Sequence, residues 1–95
     1  MSYAPTLAWK PLDGAEEAQL VAAHAERMER YAAFLRIPSV SALPEHAADC
    51  RTAAEWLATE LRRIGAQRIE VSETGGHPIV AAERIEDPAL PTIVI

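Results

Sequence analysis

The stretch "PEHAADCRTAAEWLATELRRIGAQRIEVS", residues 44–72, changes its hydrophobic period partway along. Up to Ile64 the apolar residues Cys50, Ala54, Leu57, Leu61 and Ile64 recur at helical spacing. From Arg68 the period is two: in Arg68-Ile69-Glu70-Val71-Ser72 polar and apolar residues alternate, as in a strand with one covered face. Pro44 and Glu45 open the helical part. Glu45 and Asp49 in its first turn and Arg62-Arg63 in its last both suit the helix macrodipole. Gly65 stands where a helix-ending residue adopts the left-handed conformation. A helix followed by a strand of a layered α/β structure is therefore predicted, and the neighbouring segments extend that reading in both directions.

Downstream, Thr74-Gly75-Gly76-His77-Pro78 makes a turn, and Ile79–Ile85 is a second strand. The short connection predicts an antiparallel hairpin. Glu86–Pro91 is a loop, and Thr92-Ile93-Val94-Ile95 is apolar throughout, the pattern of a strand covered on both faces. Upstream, Asp13-Gly14-Ala15-Glu16 has the form of a capping box. A long helix is expected behind it, with Val21, Ala25, Met28, Ala32 and Leu35 as its buried stripe and Leu20, His24 and Tyr31 widening it. Glu26, Arg27, Glu29, Arg30 and Ala33 fall on the other side. Pro38 ends this helix. Residues 1–12, with two prolines and no period, read as an extended arm, either pinned by Trp9 and Leu12 or frayed. The expected fold is α/β: two N-terminal helices on a mixed sheet made of an antiparallel hairpin plus a buried third strand, over residues 13–95.

A chain of 95 residues with 49% apolar and 24% charged residues is one small domain. Its net charge of −5 argues against nucleic acid, which requires a basic stripe. Arg62-Arg63, the close basic pair, is explained by the helix end. The single cysteine, Cys50, excludes an intrachain disulfide and suits a reducing compartment. No run approaches the roughly 18 apolar residues of a membrane span, and the N-terminus lacks the basic and apolar regions of a signal peptide. A soluble cytoplasmic chain is expected.

No residue set here reads as a complete catalytic or metal site. His46, Asp49 and Cys50 lie at i, i+3 and i+4, a spacing that can serve a metal, but zinc needs three or four ligands and no second cluster closes the set. Cys50 also falls on the apolar stripe, where a free cysteine acts as a small hydrophobe. His24 reads as a core or boundary residue, and His77 as part of its turn. Ser39 and Ser41 have no local base to activate them, so their hydroxyls are expected to serve loop backbone or the start of the next helix. The turn "TGGHP" has neither the lysine nor the following helix of a phosphate loop.

"FLRIPSVSALPEHAADCRTAAEWLATELRRIGAQRIEV" (34–71), "TGGHPIVAAE" (74–83) and "PTIVI" (91–95), in that order and spacing, resemble the N-terminal region of a metallopeptidase family. It is the aminoacylase and succinyl-diaminopimelate desuccinylase family, and within it the carnosinase-like co-catalytic zinc dipeptidases. The resemblance spans roughly residues 17 to 95. It implies a parent enzyme with a larger α/β/α catalytic domain that holds two zinc ions and hydrolyses dipeptides or N-acyl amino acids. In that family the third strand leads into a Gly-His-x-Asp segment, which supplies a zinc ligand and the bridging aspartate. A glutamate farther on deprotonates the attacking water.

None of those motifs lies in this chain, so the resemblance transfers no catalytic or metal-binding residue to any position here. It implies a scaffold whose metal site begins beyond Ile95, with no zinc bound to the segment itself. The partners implied are the remainder of the catalytic domain, the dipeptide substrate and, in a homodimer, a second copy. The alternative is a free-standing α/β binding or assembly module without catalysis.

Overall fold

The computed structural model describes residues 11–95. Among them are three helices, α1 (Gly14–Ala22), α2 (His24–Leu35) and α3 (Ala47–Arg63), and two strands, β1 (Gln67–Ser72) and β2 (Ile79–Glu83). The chain divides into two units, one reaching to Tyr31 and one formed by Ala32–Ile95. The expected arm, residues 1–12, lies outside the described residues except for Pro11 and Leu12.

In the first unit the capping box forms in full. The Glu16 amide donates to Asp13 Oδ1 at 2.8 Å, and the Asp13 amide donates to Glu16 Oε2 at 3.0 Å. Two of the amide donors that a helix start leaves unpaired are thereby satisfied. The helix behind this cap is not the single element expected. It breaks at Ala23, where φ is −87° and ψ is 0°. The Leu20 carbonyl, which the His24 amide would take in an unbroken helix, accepts from Arg27 Nη2 at 2.6 Å.

The expected stripe is also displaced. Ala32 of that stripe is half-buried, but Leu20, Val21, His24, Ala25, Met28, Tyr31 and Leu35 are exposed, whereas a second line, Ala23, Arg27, Arg30 and Phe34, is half-buried. These four recur at i, i+4, i+7 and i+11, so the helical period was right and its phase was not. The arginines sit on the covered line because they have local partners there, Leu20 O for Arg27 and Glu26 Oε1 for Arg30.

In the second unit α3 packs on both strands of the hairpin. A 3-10 turn, Pro44–His46, leads into it, with proline where no amide partner is needed. It closes with a Schellman arrangement: the Gly65 amide donates to Arg62 O at 3.0 Å and the Ala66 amide to Leu61 O at 2.9 Å, with Gly65 at φ +83°. The buried residues among the described ones are Ala53, Ala54 and Ala58, all on α3. Alanine has no side chain beyond Cβ, so the hairpin lies close against this face. From the expected stripe Ala54 is buried, Cys50 and Leu61 are half-buried, and Leu57 and Ile64 are exposed. At about 100° per residue Leu57 falls between Ala53 and Ala54 on the helix circumference. Its exposure therefore reflects missing cover rather than a wrong orientation.

The hairpin is antiparallel, with Glu70 opposite Ala81, Val71 opposite Val80 and Ser72 opposite Ile79. Ile69, Val71 and Val80 are half-buried while Glu70 and Ser72 are exposed, as the alternation predicts. The ladder is irregular between Gln67 and Glu70, and Arg68 there takes φ +48°. The second strand ends at Glu83 rather than Ile85. At Arg84 the chain turns to helix capping, and its Nη1 donates to Ile64 O at 2.9 Å. Residues 91–95 are not in a strand, and Ile93 and Val94 are 83% and 92% exposed. The sheet has two strands and α3 lies on it as its one described layer, so nothing present covers an element that is apolar on both faces.

Candidate functional site

Two of the residues singled out for chemistry, Ser41 and His77, meet where the loop before α3 reaches the turn of the hairpin. The path of the loop is set by Pro38 and by bonds from the Ser39 amide to Ile37 O and the Val40 amide to Pro38 O, each 2.8 Å. Opposite it, Thr74 organises the hairpin turn. Its hydroxyl donates to His77 O at 2.7 Å and accepts the Gly76 amide at 2.9 Å. His77 Nε2 then donates to Ser41 O at 2.8 Å, joining residues 36 apart in the chain. Because a carbonyl can only accept, the bond fixes Nε2 as a protonated ring nitrogen. It reaches the backbone of Ser41, not its hydroxyl, so His77 is not placed as a base for that serine.

A second tie lies alongside. Arg51 on α3 bonds to Glu73, which follows β1. The hydrogen bond to Glu73, the charge of Glu73 and then that of Glu55 hold the Arg51 guanidinium above its ordinary value. A raised basic group contributes its stabilisation below its unfolded value and loses it only as pH rises through the folded one. Arg51 itself therefore adds no pH dependence in the neutral range. At the start of α3, His46 Nδ1 donates to Asp49 Oδ2 at 2.8 Å. The structure thus pairs two members of the candidate triad. The third, Cys50, is a half-buried free thiol.

Among the described residues no group of three or more His, Cys, Asp and Glu side chains is disposed to hold a metal ion. The two zinc ions implied by the resemblance do not fit the residues described. His24 stands exposed at the first residue of α2, and Ser39 and Ser41 are exposed in their loop. No helix among the described residues is long and apolar enough to cross a membrane.

The feature that sequence reasoning missed is a groove of about 690 Å³ at the far end of the hairpin. Leu61 of α3, Ile64 that caps it, Val80 and Ala82 of β2, and Ile93 and Val94 line it. The signal for it in the sequence is the unbroken apolar run Thr92–Ile95, whose composition predicts a strand rather than a surface.

No family model, curated protein or solved structure matches the chain.

Proposed function

We propose that this chain is the leading scaffold of a zinc-dependent dipeptidase of the aminoacylase and succinyl-diaminopimelate desuccinylase type. In this reading α3 and the hairpin form one corner of a larger α/β/α catalytic domain. Thr92–Ile95 would be the next strand of its sheet, and the residues that bind metal and substrate lie outside the segment. The role of residues 11–95 is to hold sheet and helix in place, not to perform hydrolysis. Cys50, a free thiol, suits work in a reducing compartment.

The observation that carries the proposal is the uncovered apolar surface of the second unit. Three alanines are buried, while Leu57, Ile64, Ile79, Ile85, Ile93 and Val94 are exposed, several of them around one groove. Contiguous apolar surface of this kind marks a place where other polypeptide belongs. The His77–Ser41 bond adds support, because it joins two of the segments on which the resemblance rests.

Reading the coding sequence past residue 95 tests the proposal. A glycine, then histidine and aspartate separated by one residue, is expected within about ten residues, roughly one strand and turn. A stop codon there, or a continuation without His-x-Asp, overturns the dipeptidase reading. The apolar surface would then belong to a binding or assembly module.

A further inference from the structure

We draw no further inference here: the strongest candidate, the apolar groove that Leu61, Ile64, Val80 and Ala82 form with Ile93 and Val94 beside the outer strand of the hairpin, carries nothing because nothing in the structure shows what covers it.

Discussion

Gly65 and Arg68, three positions apart, both adopt positive φ, at +83° and +48°, and only one of them is glycine. For a residue with a Cβ the left-handed region costs roughly 1–2 kcal/mol. At Gly65 the conformation closes α3, and an added Cβ would meet nothing within 4 Å, so the penalty for Gly65→Ala is purely conformational. That substitution is expected to destabilise the chain by about 1 kcal/mol. At Arg68 the strain is already present. Arg68→Gly should relieve it while adding chain entropy of similar size, leaving stability within about 0.5 kcal/mol of the parent. Urea midpoints of the two variants check this, and equal losses at both sites would refute the account.

Ala58 is set by packing rather than by φ. At 2% exposure it is the tightest position in the chain's described part. Ala58→Leu should cost about 1–3 kcal/mol by overpacking. The same change at exposed Thr59 should cost little, in the same denaturation assay.

Among the elements, the end of α2 and the middle of α3 are joined by one aromatic contact. The rings of Phe34 and Trp56 lie 5.3 Å apart, tilted by 35°. Both side chains are half-buried, and pairs in this geometry contribute about 0.5–1.5 kcal/mol beyond area burial. A double-mutant cycle with Phe34→Leu and Trp56→Leu should give a coupling energy near the lower half of that range. A coupling indistinguishable from zero would mean that α2 is not held to α3 through these rings. The hairpin is tied differently, by polar bonds at both of its ends. His77 and Glu73 anchor the turn end, to Ser41 O and to Arg51, and Arg84 anchors the other end on the carbonyl of Ile64, the residue that caps α3. Arg51 and Glu73 are exposed, so salt screens their pairing and it sets direction more than stability.

For the whole molecule, charge and ligand count limit what the chain does alone. Two-ligand pairs such as His46–Asp49 hold zinc weakly, and closed sites take three or four ligands. The 95-residue chain is therefore expected to give no tight stoichiometric zinc isotherm in calorimetry and no dipeptide hydrolysis above background. A tight site abolished by His46→Ala or Cys50→Ala would overturn this, because it would require a ligand set absent from the described geometry.

The sequence alone determined the local elements. Pro44, the acidic first turn, Gly65 and the switch from helical to alternating period set the position of α3 and the start of β1. The two glycines of the turn set the hairpin. These signals are short-range, acting through φ preferences, caps and single-element periodicity, so they can be read without knowing what lies nearby. The break at Ala23 could not be read this way, because no glycine or proline marks it in the sequence; the Leu20 carbonyl it frees takes the Arg27 side chain. Nor could the phase of the buried faces. On α3 the expected stripe is covered at Ala54 and in part at Cys50 and Leu61, but Leu57 and Ile64 stay exposed while Ala53 and Ala58, outside the stripe, are buried, because burial depends on what packs opposite and not on apolarity alone. Ser41 and His77 were legible as residues but not as a pair, since their bond spans 36 positions that only the folded chain brings together. Thr92–Ile95 marks the same limit: β-branched composition gave it strand propensity, but a strand needs a partner edge and covered faces, and those are supplied by tertiary structure.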